Sequence, residues 1–245
     1  MYDFFLILRT MSKIIEPVIV RTADGSKTIF HSESGEHYHS RHGAIGESKH
    51  VFVGMGLDYL ARQGKSDPIR ILEVGFGTGL NFLLSADFAE ENNIGLDYVG
   101  VEAYPLALGV LQSLDFHEMV RPLIWSGFIN AYDLALQSYP NFESISSLVR
   151  LSIVQQRILE VSFQQEFDLI YFDAFSATHQ PEMWTPEVLQ HVTEHLVAGG
   201  VFVTYSITGS LKRSLKSLGF TIEKLPGAPG KREMLRAVKS SIDTP

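Results

Sequence analysis

From residue 69 onward, apolar residues dominate short runs, and each run is followed by a turn and then by apolar positions at helical intervals. Runs of this length bounded by turn residues read as strands buried on both faces. Residues 69–74 form the first, residues 81–90 the helix behind it, and residues 96–101 the second strand, with Glu102 at its end. Residues 167–172 form a later strand closed by Asp173. A helix over 186–196 then leads into a strand over 200–205. Strands alternating with helices predict a doubly wound α/β fold on a parallel sheet with right-handed crossovers. The tail breaks the alternation. Two strand-like runs, 220–225 and 232–238, are joined by Pro226-Gly227-Ala228-Pro229-Gly230, which predicts an antiparallel hairpin at a sheet edge.

Ahead of this core, residues 18–22 and 28–30 flank Asp24-Gly25 and read as a small hairpin. A polar, aromatic segment follows, His37-Tyr38-His39-Ser40-Arg41-His42-Gly43. Residues 44–62 carry helical spacing that Gly54 and Gly56 weaken. Residues 1–62 are therefore an extension, with leader, hairpin and helix, packed on a main domain over 63–245. The apolar run Phe4-Phe5-Leu6-Ile7-Leu8 is far too short to span a bilayer. It lacks the basic flank and small-residue cleavage site of a secretory signal. Residues 1–10 are expected to be dispensable, with translation naturally beginning at Met11.

Composition narrows the chemistry. With 245 residues, 45% hydrophobic and 20% charged, the chain suits one sizeable α/β domain. The absence of cysteine removes disulfides, thiolate zinc sites and a thiol nucleophile, and fits a reducing, cytoplasmic compartment. A net charge of -8 argues against a protein that coats nucleic acid indiscriminately, yet residues 211–239 hold eight basic residues against two acids. That stretch is either a solvated face or a phosphate-facing patch.

Ligands of doubly wound folds sit outside the carboxyl ends of the strands. Three features converge there. Glu73-Val74-Gly75-Phe76-Gly77-Thr78-Gly79 puts residues without side chains where backbone must approach a ligand. Glu102 is placed to accept hydrogen bonds from two ribose hydroxyls, and Asp173 is a further polar group at the crevice. A dinucleotide fingerprint would want its third glycine where Leu80 stands, so a nicotinamide or flavin enzyme is disfavoured. His37, His39 and His42 lack convincing metal spacing with acids, and no metal is expected.

These blocks resemble the methyltransferase half of the bacterial tRNA 5-methylaminomethyl-2-thiouridine biosynthesis bifunctional proteins and their free-standing relatives. The resemblance runs through Gly46 to Phe52, the Gly75 to Phe82 block, Glu102 with Tyr104-Pro105-Leu106, the stretch from Asp173 to Thr185, and Gly230-Lys231-Arg232-Glu233-Met234-Leu235. It implies a class I, Rossmann-like methyltransferase with S-adenosylmethionine as cofactor. It also implies methyl transfer to the amine of 5-aminomethyluridine, or its 2-thio form, at the tRNA wobble position. The chain stops where the family's flavin-dependent oxidase half would begin, so no fused oxidase is expected.

On this reading Glu73, Gly75, Phe76, Gly77, Thr78, Gly79, Asn81, Glu102 and Asp173 surround the cofactor. Asp173 also accepts the proton of the amine or orients it. Phe175, Met183 and Trp184 are candidates to wall the pocket or stack on the uridine, the alternative for Trp184 being a helix-start anchor. Arg41, Lys231 and Arg232 are the candidates for anticodon phosphates. One position departs from the family pattern: an acid that usually meets adenine is missing from Ser152-Ile153-Val154-Gln155-Gln156, and Gln156 is the candidate substitute through its amide oxygen. The rivals are a spermidine synthase-like aminopropyltransferase, another small-amine N-methyltransferase, or a tRNA-binding module that has lost activity.

Overall fold

A computed structural model of the chain describes residues 18–32, 34–64 and 67–240. The leader and the Met11 start lie outside them. The N-terminal hairpin is present, with β1 (Val18–Arg21) antiparallel to β2 (Lys27–His31). A third short strand that the sequence did not announce, β3 (Glu36–His37), extends it. Helix α1 (Ala44–Ser48) runs through a wide-turned segment, Lys49–Asp58, into α2 (Tyr59–Ala61). Gly56 lets this segment lie directly on the sheet. A Cβ there would stand 3.0 Å from the Tyr171 ring and 3.2 Å from a Val203 methyl. Gly56, which weakens the helix locally, is thus explained by close packing.

Among the described residues the main sheet has eight strands, in the order β10-β11-β9-β8-β4-β5-β7-β6. Strands β4 (Ile69–Val74) and β5 (Leu96–Val101) pair in parallel, followed outward by β7 (Val149–Val154) and the two-residue antiparallel edge strand β6 (Glu143–Ser144). On the other side of β4 come β8 (Phe167–Phe172) and β9 (Leu196–Thr204), also parallel. The tail hairpin, β10 (Phe220–Pro226) and β11 (Glu233–Lys239), closes this edge with β11 antiparallel to β9.

Helices α3 (Leu80–Asn92), α4 (Leu108–Gln112) and α5 (Pro122–Ala135) cover one face, where Ile69 and Ile71 point. Helices α6 (Pro186–Thr193) and α7 (Gly209–Ser217) cover the other, which receives Leu72 and Val74. Alternate residues of β4 thus feed two cores, which is why its run is apolar apart from Arg70 and Glu73. The extension shares the first core through Ile29, Ala44, Val51 and Phe52.

Most element ends shift by a residue or two from the sequence reading, and the largest difference lies between α6 and β9. The helix expected over 186–196 ends at Thr193, and β9 begins at Leu196 rather than at residue 200. Leu196 pairs with Phe167, the ladder is then interrupted, and pairing resumes at Val201 opposite Leu169. Gly199, at φ 69°, supplies the left-handed residue of that irregularity. A glycine-rich break inside a strand reads in sequence as a strand start.

Candidate active site

The sheet changes winding direction between β4 and β8, and both strands end at the same crevice. After β4 the chain enters the glycine turn, with Gly75, Gly77 and Gly79 all at positive φ (89°, 51° and 73°). After β8 it reaches Asp173, whose N–H donates to the Val74 carbonyl at 2.9 Å. The two segments touch so closely that a Cβ on Gly75 would meet the Asp173 carbonyl oxygen at 2.7 Å.

Beneath the turn lies a chain of buried polar groups. The Asn81 amide nitrogen donates to Glu73 Oε1 at 2.8 Å and to Asp173 Oδ2 at 2.7 Å. Tyr98 donates its hydroxyl to Glu73 Oε2 at 2.8 Å, and Ser48 donates to the Asn81 carbonyl oxygen. Glu73 is wholly buried, so both burial and the neighbouring Asp173 push its pKa well above the ordinary carboxylate range. For Asp173 burial again leads, with Glu47 adding to it and Asn81 and Lys231 opposing, and its pKa is raised to about 7.

At the end of β5, Glu102 Oε2 accepts the Gly77 N–H at 2.9 Å and Oε1 accepts the Tyr104 N–H at 3.0 Å. The carboxylate therefore lies against the glycine turn with lone pairs to spare. From the extension, His39 Nε2 hydrogen-bonds Thr78 Oγ1 at 2.6 Å, and burial lowers the His39 pKa to about 4. His37 packs on Phe30 at 5.0 Å between ring centroids, and His42 lies under the turn at Gly230. His39 and His42 thus dock the extension on the main domain, and among the described residues no cluster of three His, Asp or Glu could hold a metal ion. No described helix is long and apolar enough to cross a membrane.

A cavity of about 210 Å³ opens where these elements meet. Glu36 to Arg41, Glu47, Asp173 to Phe175, Tyr205 and Lys231 line it. The glycine turn borders this cavity, Gly75 against Asp173 and Gly77 against Tyr38, and the Glu102 carboxylate at the neighbouring strand end is an acceptor suited to the ribose hydroxyls of S-adenosylmethionine.

Residues 123–240 match a family described as S-adenosyl-L-methionine-dependent methyltransferase. The crystal structure of MnmC2 from Aquifex aeolicus is similar at 30% identity and a TM-score of 0.70, over 94% of this chain and 71% of that one. The chain belongs to this methyltransferase family. Among curated proteins, the tRNA 5-methylaminomethyl-2-thiouridine biosynthesis bifunctional protein MnmC of Leptospira borgpetersenii is 32% identical over 209 residues, 81% of this chain. Its Burkholderia thailandensis counterpart is 29% identical over 232 residues, 91% of this chain. The chain spans about a third of the length of these relatives (31% and 35%).

Within this methyltransferase, the residues singled out from sequence divide by position. Gly75, Gly77, Glu102, Asn81, Asp173, Phe175 and Arg41 stand at or around the crevice. Others support it from below: Glu73 and Thr78 are fully buried, and Phe76 turns into the core against Phe82 and Phe128 at 6.3 and 6.5 Å. Trp184 anchors a loop, packing on Phe172 at 5.0 Å and donating its indole N–H to the Phe175 carbonyl at 2.8 Å. Neither Trp184 nor Met183 lines the cavity; both pack on the second core. Gln156 is exposed just beyond β7, and Arg232 is exposed on the tail turn.

Lys231 departs from its expected place among phosphate ligands. It turns inward, ion-paired to Glu47 and stacked on the Tyr205 ring at 3.7 Å. Glu47, Tyr205, Glu36 and Tyr38 were not singled out individually from sequence. Glu47 lay inside the recognised Gly46 to Phe52 block and Tyr205 at a strand end, but nothing in their spacing said that they face one cavity.

Proposed function

We propose that the chain methylates the primary amine of 5-aminomethyluridine, or its 2-thio form, at the wobble position of tRNA. The observation that carries this reading is Asp173: a half-buried carboxylate with its pKa raised to about 7, in a cavity beside the glycine turn. S-adenosylmethionine, when bound, supplies a methyl group on a positively charged sulfur, open to displacement by an amine lone pair.

An alkyl amine has a pKa of about 10 and is a cation at neutral pH, with no lone pair free. Asp173 receives its proton, and a base with a pKa close to the working pH does so most effectively. Asn81 holds that carboxylate in place from α3, so the base is oriented by a fixed element. Gly75 and Gly77 with Glu102 are assigned to the cofactor, Glu102 toward ribose hydroxyls. Glu73, Phe76, Thr78 and Gly79 shape the turn. Gln156, beyond β7, is assigned to adenine. Phe175, with its ring 5.3 Å from those of Tyr38 and His31, is the aromatic wall for the uracil ring.

The names of the relatives support the substrate, since a 5-methylaminomethyl product is an aminomethyl group that has gained one methyl. RNA contact is supported by a second concavity of about 470 Å³ lined by Lys212, Arg213, Lys216 and Lys224 with no acid among its lining residues. The deciding experiment supplies labelled S-adenosylmethionine and tRNA from cells blocked at the aminomethyl stage, and reads the nucleosides by mass. A gain of one methyl on the aminomethyl nucleoside is expected. Cofactor binding without transfer to tRNA would redirect the assignment to small amines.

A further inference from the structure

The cavity beside Asp173 already holds an ammonium group, that of Lys231. Its nitrogen is ion-paired to Glu47 and lies 3.7 Å from the centroid of the Tyr205 ring. A carboxylate and an aromatic face together make a receptor for a primary ammonium, joining a charge-assisted hydrogen bond to a cation–π contact.

The two sides of this contact are mounted differently. Glu47 is fixed: its side chain is 9% exposed, it sits on α1, and its Oε2 accepts the Ser40 N–H at 3.1 Å. Tyr205 is fixed as well, by a 2.9 Å hydrogen bond from its hydroxyl to the Ala174 carbonyl, next to Asp173. The Lys231 side chain is 32% exposed and reaches in from the turn between β10 and β11. That turn rests on His42 at Gly230, where φ is 87° and a Cβ would collide at 2.5 Å. The acid belongs to the body of the protein, and the cation is attached to its rim.

Glu36 and Asp173 line the same cavity, with Arg41 as its other cation, so three carboxylates face a single cation once Lys231 leaves. A buried acid stripped of its counter-ion is strongly destabilising, which gives the resting protein reason to carry an internal cation there.

We propose that Glu47 and Tyr205 are the receptor for the ammonium group of the acceptor, and that Lys231 occupies this receptor until the acceptor displaces it. The proposal rests on the reading of the acceptor as a primary amine. The exchange replaces one –NH3+ by another, so the charge of the cavity is unchanged while the incoming nitrogen arrives next to Asp173. Lys231, released, returns to solvent on its turn.

The first test is independent of catalysis. In Lys231→Ala, methylammonium chloride should raise the thermal unfolding midpoint by a few degrees over sodium chloride at equal ionic strength. The wild type and Glu47→Gln/Lys231→Ala should show no such difference. Equal effects of the two salts on Lys231→Ala would overturn the receptor.

The second test titrates 5-aminomethyluridine and 5-hydroxymethyluridine into the same proteins by calorimetry. Removing an internal competitor should tighten the aminomethyl nucleoside about tenfold in Lys231→Ala. Glu47→Gln/Lys231→Ala should lose that gain, and the hydroxymethyl nucleoside should be indifferent to both changes. Aminomethyl binding weaker in Lys231→Ala than in wild type would overturn the exchange. Methylammonium rescue without any methyl transfer to tRNA would instead overturn the tRNA reading alone.

Discussion

The side-chain nitrogen of Asn81 stands 2.7 Å from Oδ2 of Asp173. The same nitrogen serves Glu73 at 2.8 Å, so one amide holds two acids carried by adjacent strands. Asn81→Ala removes a donor that lowers the Asp173 pKa and one that lowers the Glu73 pKa. The pH at which activity rises should move upward, and stability should fall by about 1–3 kcal/mol, as for other buried acceptors deprived of a partner. Profiles of kcat/KM against pH, with urea unfolding, test both; an unmoved profile would detach Asn81 from control of the base.

Asp173 itself predicts opposite trends for stability and activity. Its pKa is raised from 3.8 to about 7, so the folded protein favours the protonated form more than the unfolded chain does. This group's contribution therefore turns unfavourable as pH rises from about 4 toward 7 and levels off above that. The stability of Asp173→Asn relative to wild type should grow over the same interval. Activity needs the carboxylate, and should climb to a plateau above about pH 7. Asp173→Asn or Asp173→Ala should retain the fold and lose ~10²–10⁴-fold in turnover. Near-normal turnover would remove Asp173 from its role.

These groups show what sequence conveys and where it stops. The strands over 69–74, 96–101 and 167–172 were legible to the residue because each is buried on both faces and ends in a distinctive turn or acid. The tail hairpin was legible from its proline and glycine link. The amphipathic α7, the short α4 and β6, and α5 are not legible in this way, since none carries a run of that kind. At the site, Gly75, Glu102 and Asp173 announce themselves because strand ends are where ligands bind. Glu47, Tyr205 and Lys231 come from three distant segments, and only folding brings them together. The same limit explains Lys231: a cation in a basic stretch reads as a surface residue until its partner is seen.

The glycine turn should tolerate little. Gly75 combines φ 89° with a Cβ position 2.7 Å from the Asp173 carbonyl oxygen, a backbone atom that cannot swing away. Gly75→Ala should push β4 and β8 apart at the crevice and abolish binding of S-adenosylhomocysteine. Glu102→Gln keeps the shape but weakens the acceptor of the Gly77 N–H, and a loss of about tenfold or more in that affinity is expected, of the size usual for a charged hydrogen bond. Calorimetry with S-adenosylhomocysteine reads both, and unchanged affinity in Glu102→Gln would exclude the ribose role.

The basic concavity predicts how RNA affinity depends on salt. Leu211 and Leu215 bury one side of α7, which leaves Lys212, Arg213 and Lys216 along a groove that Lys224 of β10 completes. Phosphate contacts made by such a groove release counter-ions, so log affinity falls linearly with log salt by roughly 0.7–0.9 per phosphate neutralised. Lys212→Glu/Lys216→Glu should weaken tRNA binding and flatten that line by about one or two phosphate equivalents. It should leave S-adenosylhomocysteine binding untouched, since the groove shares no lining residue with the cavity around Asp173. Filter binding of tRNA across a series of potassium chloride concentrations separates the possibilities. An unchanged slope would mean that RNA approaches by another face, and the excess of positive charge in this part of the chain would then be a solvated surface.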